Sequence, residues 1–430
     1  MIKSQKQFSK LYFSLLLFCV YAPTFQVFDK GTAQYFYISL INTLFLFLIP
    51  IYIGKIDFRK YLRHPLLITY LGFIAISALT LLVSINVVES SVRLFQMITF
   101  FIALLISKVF ISKKLIKVNL ILILITISLI IDMFFSLAAY VPFVVNGIEY
   151  TYDQNTRLVG LYGNRNILAT ILCFKIPFVI LLALRTRVKY ISVIAFLIVS
   201  TAFFNISLLS SRATYLSILI CSLFLILFIS YILFRYRDNI KKYLKGLFLF
   251  FIPLIVALIM SNFAIDSSDE GAIVNRFSTI TNTEDSSINT RLRYYSHAIE
   301  HTFKNPLLGG GIGNWKIISI KYDSANIQNY IIPYNAHNDF LEAFAETGLV
   351  GGFFFLLFFL LIPYYLYRIF QNKSSNRPNE IYFAILTLPF LVYFVDLNLN
   401  FPSSRPSNQI IFLFYLTIVL ITHSKIYEKK

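Results

Sequence analysis

The residues best suited to proton chemistry sit in one stretch. His337, one of the chain's five histidines, lies in Tyr334-Asn335-Ala336-His337-Asn338-Asp339, which soon gives way to the apolar run Phe353-Phe354-Phe355-Leu356-Leu357. A titratable imidazole at the mouth of so greasy a segment is a functional-site candidate, because His changes charge near neutral pH. The plainer alternative is a histidine that ends a helix at the interface. Asn338, Glu342 and Glu346 are spaced i, i+4, i+8 and share one helix face. Asp339 and Glu342 fall in the first turns, where the helix dipole favours negative charge. A carboxylate from this set would orient His337 as a general base.

Cations away from the basic clusters come next. Arg212 stands in Leu208-Leu209-Ser210-Ser211-Arg212-Ala213-Thr214, a gap so short that its guanidinium must lie at membrane depth or just outside. Such an Arg needs an anion or a wet cavity, or else it snorkels to lipid headgroups. Arg291 and Arg293 open a helical segment and point about 200° apart, so both do not clamp one group. Arg suits phosphate because its fork meets two oxygens at once. The turn Gly160-Leu161-Tyr162-Gly163-Asn164-Arg165-Asn166 precedes another helix. Asn164 or Asn166 is then an N-cap, or the helix start is offered to an anion.

Two other patterns lead elsewhere. His297-Ala298-Ile299-Glu300-His301 spells a zinc-protease motif, yet a third ligand and a substrate lobe are wanting. Gly309-Gly310-Gly311-Ile312-Gly313 looks like a phosphate loop, but no Lys-Ser/Thr completes it; a turn is the better reading. The three cysteines lie in apolar runs and read as small buried hydrophobes. No metal or cofactor is expected.

The elements that must position these groups are membrane helices. Hydrophobic residues make up 58% of the 430 and charged ones only 13%, a polytopic membrane composition. The net charge of +18 comes from short basic clusters between apolar spans, which excludes a nucleic-acid partner. With roughly 20 apolar residues per crossing, about twelve spans are expected, near 8–27, 33–53, 65–85, 92–111, 118–140, 166–184, 190–209, 213–234, 246–263, 346–369, 380–396 and 408–423. Most Lys and Arg fall in every second gap, which puts both termini in the cytoplasm. The chain thus reads as all-α, a single integral membrane domain over 1–430. Within it, 264–336 forms one large outward-facing loop containing surface helices. Polar runs occupy 267–271 and 282–287. A helix follows, capped by Asn289 or Thr290 and ended by Asn305-Pro306. Its apolar stripe, Leu292, Tyr295, Ile299 and Phe303, suits the outer membrane face. No internal repeat of the transporter kind is visible.

These features together resemble bacterial O-antigen ligases. His337-Asn338, then Gly348-Leu349-Val350-Gly351, is similar to that family's His-containing signature. Around it stand a Ser-Arg-Ala helix start (Arg212) and an Arg opening the loop helix (Arg291) followed by Asn305-Pro306-Leu307-Leu308-Gly309. A Gly-Asn-x-Asn turn (Gly163, Asn164, Asn166) and an Asp with a late outward Arg (Asp396, Arg405) complete the set. Some ligases carry a second His before the signature, where this chain has Asn335. The resemblance implies a glycosyltransferase of the inner membrane whose site faces the periplasm. Its donor is a glycan on undecaprenyl pyrophosphate, used directly and with inversion, and its acceptor is lipid A core or another glycan. His337 would deprotonate the acceptor, while Arg212 and Arg291, with Asn338, Asn166 and Arg405, would bind substrate. Polymerases of lipid-linked repeats share the superfamily.

Overall fold

The structure is a computed structural model. It describes residues 2–23, 30–236, 240–265, 269, 275, 286–327, 332–371 and 380–427. Among these residues there is no strand. That is the expected solution in lipid, where a helix satisfies its own backbone.

Ten helices precede the large loop: α1 Ile2–Cys19, α2 Lys30–Ile53, α3 Phe58–Leu62, α4 Pro65–Leu79, α5 Val87–Ser112, α6 Val118–Val145, α7 Arg165–Leu184, α8 Lys189–Leu209, α9 Arg212–Tyr236 and α10 Leu244–Ala264. The loop contributes α11 Ser286–Lys304 and α12 Trp315–Asp323. Then come α13 Asp339–Gln371, α14 Glu380–Leu399 and α15 Pro406–Tyr427. Eleven described helices are long and apolar enough to cross a membrane. The expected crossing at 8–27 runs into residues outside the described set. Its described part, α1, carries Lys3, Lys6 and Lys10, so only its second half is apolar. The polar runs 267–271 and 282–287 also fall largely outside the described residues.

The helices form two compact units. The first holds residues 1–117, 283–368 and 397–430; the second holds 118–282 and 369–396. In the first, α15 is buried from Pro406 to Thr422, as befits a helix apolar all round. Phe8 of α1 stacks on Phe45 of α2 with centroids 4.6 Å apart. Asn42 links three helices there, accepting from Tyr12 Oη at 2.8 Å and donating to the Thr99 carbonyl at 2.9 Å. In the second unit α7 is the buried helix, and α8 packs against both α7 and α10.

Two buried charges shape the second unit's interior. Lys175 of α7 pairs with Asp132 of α6, both side chains fully buried. Lys175 Nζ also reaches Ser128 Oγ at 2.6 Å, and Tyr162 donates to Asp132 at 3.0 Å. A pair so fully hydrogen-bonded is tolerated where a lone charge is not. Lys175 is thus an interior strut between α7 and α6, and Tyr162 ties the Gly160–Gly163 turn to the same carboxylate.

Candidate functional site

Helix α13 is two helices joined by a break. Gly348 has φ +69° and ψ −173° inside it, a conformation that glycine adopts at little cost. A Cβ there would lie 2.5 Å from the Leu307 carbonyl oxygen and 2.7 Å from that of Pro306. The break leaves carbonyls without helical donors, and the glycine-rich turn supplies them. Gly310 N–H donates to Ala345 O and Gly311 N–H to Glu346 O, each at 3.0 Å, and Leu349 N–H donates to Pro306 O at 2.8 Å. The turn's amides are therefore spent on protein, which confirms it as a turn and excludes a phosphate loop. Asn314 anchors it to α5 by accepting from Asn86 N–H at 2.7 Å and donating to Ser90 Oγ at 2.6 Å.

Above the break, α13 begins at Asp339, capped by Asn338. The Asn338 side-chain oxygen accepts from the N–H groups of Phe340 at 3.0 Å and Leu341 at 3.1 Å, and its amide donates to Asn398 at 3.4 Å. Both ends of this amide are in structural use. The three carboxylates that follow each hold a backbone amide: Asp339 that of Ser403 at 2.9 Å, Glu342 that of Ala336 at 2.7 Å and Glu346 that of Trp315 at 2.8 Å. None of these bonds reaches the His337 ring. The shared helix face is real, but its carboxylates fix the loop backbone.

His337 itself sits at φ +56°, an uncommon conformation for a residue with a side chain. Its ring lies edge-on to Phe401 at 5.4 Å and parallel to Tyr294 at 6.4 Å. The Tyr295 hydroxyl holds the backbone, 3.1 Å from the His337 carbonyl and 2.7 Å from that of Asn398. Nδ1 of the ring is buried without a hydrogen-bond partner. Burial first, then the positive charge of Arg291, push the imidazole down to about 4; the Leu399 backbone works the other way, and Arg405 adds to the lowering. Arg405 also stacks over Phe401 at 4.2 Å, the ring that His337 touches. His337, Asn338, Arg291 and Arg405 thus gather in the first unit. Arg293 is committed elsewhere, to Asp323 at 2.7 Å, as the divergence of the two arginines required.

Arg212 and Asn166 belong to the second unit. Helix α8 ends at Leu209 and is capped by Ser210, which is left-handed at φ +50°, and α9 starts at Arg212, so the turn is as short as the sequence demanded. Helix α7 starts beside it, since the Thr170 and Thr214 hydroxyls are 3.3 Å apart. Asn164 is the cap, accepting from Asn166 N–H at 2.8 Å and Ile167 N–H at 3.4 Å. Arg165 lies over the Tyr152 ring at 4.2 Å and feels the charge of Arg212. Two helix N-termini and two arginines thus meet, the arrangement that general electrostatics assigns to anions.

The loop helix α11 starts at Ser286, ahead of the Asn289 or Thr290 cap read from sequence, and ends at Lys304 before Asn305-Pro306 as expected. Its stripe is outward: Leu292, Ile299 and Phe303 are exposed, and Ala298 is the residue buried against Trp315 and Ala345. His301 contacts the Tyr322 hydroxyl at 3.1 Å, and no metal-holding group of His, Cys, Asp and Glu exists among the described residues. Burial, with Lys321 and Lys304 nearby, keeps its ring below the usual histidine range.

Residues 172–356 match the family model described as O-antigen ligase. That match supports a likeness to the O-antigen ligase/polymerase superfamily over this stretch. No curated protein matches the chain. Arg212, Arg291, His337 and Asn338 lie inside the matched stretch; Asn166 and Arg405 lie outside it. The structure also brings to this site residues whose role the sequence did not reveal. Tyr295 was seen only as part of an apolar stripe, yet its hydroxyl holds the His337 backbone. Arg93 of α5 has no motif around it, yet Glu346, Asp339 and Glu342 all act on it electrostatically.

Proposed function

We propose that this multi-pass membrane protein is a glycosyltransferase of the O-antigen ligase type. It moves a glycan from undecaprenyl pyrophosphate to an acceptor hydroxyl, on lipid A core or another glycan, at the outer face of the bacterial inner membrane. Both termini are cytoplasmic in this reading, and the 264–336 loop is periplasmic. The observation that carries it is the family match, which encloses Arg212, Arg291 and His337.

In this mechanism His337 takes the proton of the acceptor hydroxyl as its oxygen attacks the anomeric carbon. The bond from that carbon to the phosphate oxygen breaks, and the pyrophosphate leaves with the electron pair. Arg212, beside the helix starts of the second unit, and Arg291 stabilise the departing anion, the electrostatic help that dominates such sites. Asn166 and Arg405 assist binding, and Asn338 holds the helix start behind the base. The low basicity of His337 fits this order of events. Arg291 and Arg405 depress it, and they are cations that an arriving pyrophosphate would neutralise. Donor binding thereby restores the base.

His337→Ala inserts like the wild type and slows transfer by roughly 10²–10⁴, the usual worth of a general base. Transfer at the wild-type rate in that variant would overturn the mechanism. Surface glycans from a deletion strain separate the two superfamily activities. Long chains stranded on the carrier mean a ligase, and single repeats on the lipid A core mean a polymerase.

A further inference from the structure

The first unit contains a polar cavity of about 180 Å³ that the proposed mechanism does not use. Gln96 of α5, Tyr334, Asn335 and Ser404 line it. Asn335 precedes His337 by two residues, and Ser404 precedes Arg405 by one. The cavity is therefore built from the same two loop segments that carry the candidate base and its neighbouring cation. Its volume is several times what one water needs, on the scale of a single sugar ring.

The donor and acceptor pattern of the walls is specific. Glu342 accepts the Ala336 amide and Glu346 those of Gly313 and Trp315, and a carboxylate has about four lone-pair sites, so each keeps capacity for a ligand hydroxyl. Glu89 shares the wall and is paired with Lys316 at 2.6 Å. Arg93 donates to Gln96 at 3.1 Å and to the Ser403 hydroxyl at 3.2 Å, which holds the cavity's floor rigid. Three carboxyl groups and two cations line the walls, a mixed set of acceptors and donors that suits sugar hydroxyls. The two cations in turn disfavour a metal ion.

We propose that this cavity seats the terminal sugar of the acceptor, a neutral or amino sugar, and presents its hydroxyl to His337. The proposal rests on the transferase reading above. Carboxylates and amides accept and donate to vicinal hydroxyls, and Tyr334, largely exposed at the rim, offers a ring face to the next sugar.

The chain has a single tryptophan. Trp315 is buried, and its backbone amide is held by Glu346, a wall of the cavity; its fluorescence therefore reports occupancy. The full chain in lipid nanodiscs is titrated with deacylated lipid A core oligosaccharide and with a free repeat-unit oligosaccharide. The expected result is a saturable change with one of the two. Asn335→Phe, which fills the cavity, and Tyr334→Ala, at its exposed rim, weaken that binding tenfold or more and raise the acceptor KM while the donor KM stays put. Wild-type affinity and acceptor KM in both variants would overturn the proposal, as would absence of any signal from either probe while transfer proceeds. If Asn335→Phe does not fold, Tyr334→Ala decides. Loss of the cavity proposal leaves the His337→Ala result intact, so the two readings fail separately.

Discussion

Around His337 the first unit hides its polar atoms. The imidazole is pressed between two aromatic rings, its Nδ1 is buried and unpartnered, and its neighbouring carboxylates are occupied with backbone amides. Around Arg212 the second unit does the reverse. Two helices begin side by side, Asn164 is exposed on one of them, and the arginines Arg165 and Arg212 face the same region. The first arrangement suits a neutral group that must pick up a proton. The second suits a fixed positive field that waits for an anion. The two impose opposite demands on solvent: burial makes a base scarce in charge, while helix ends work best where an anion can arrive.

The comparison is broken or sharpened first at Arg212. Arg212→Ala removes charge-assisted bonds worth about 1.5–3 kcal/mol and raises the donor KM by roughly 10- to 100-fold. Arg212→Lys recovers part of this, because it restores charge without the fork. A change confined to the acceptor KM would erase the division of labour. The second test is pH. With its ring near 4 in the free protein, His337 is a neutral base at pH 7, and kcat/KM falls only as pH drops toward that value. The donor's negative charge raises the ring's affinity for protons, so the acid limb of kcat lies at higher pH than that of kcat/KM. Stability follows the same group. The unfolded ring titrates near 6.5, so the unfolded chain binds more protons between about 6.5 and about 4, and folded stability declines as pH falls through that window. Identical acid limbs in kcat and kcat/KM would separate the base from the anion. The smallest effects are at the caps. Asn338→Ala and Asn164→Ala each cost about 1 kcal/mol, read as a fall in melting temperature. A rate loss like that of His337→Ala would promote Asn338 from cap to reactant-binding group.

Helices were legible wherever hydropathy alone decides, because lipid leaves the backbone no other choice. The start of α13 was less so. Apolar residues suggested a crossing from about 346, while the helix begins at Asp339 and breaks at Gly348. The polar first segment is helical because Asn338 caps it and the glycine-rich turn satisfies the break, and neither effect has a hydropathy signal. The local motifs around Arg212, Asn164 and Asn305-Pro306 were readable because each is settled within one turn of chain. The pairing of Lys175 with Asp132 was not, nor was the gathering of Glu342 and Glu346 about Arg93. Both depend on helices far apart in sequence, which spacing does not reveal. The same limit applies to Asn338: the resemblance implies a substrate contact, and only the backbone around it shows that its oxygen also caps the helix.

The break at Gly348 also works as a ruler. Counting from it, residues 349–371 give a helix of about 35 Å at ~1.5 Å per residue, close to the ~30 Å hydrocarbon layer. The stretch 339–347 is then surplus length, too long to be needed for crossing. A continuous helix would have to tilt to submerge that surplus and would carry Asp339, Glu342 and Glu346 down with it. Bending at a glycine lets the crossing part match the bilayer while the remainder, with its three carboxyl groups, stays in the polar layer.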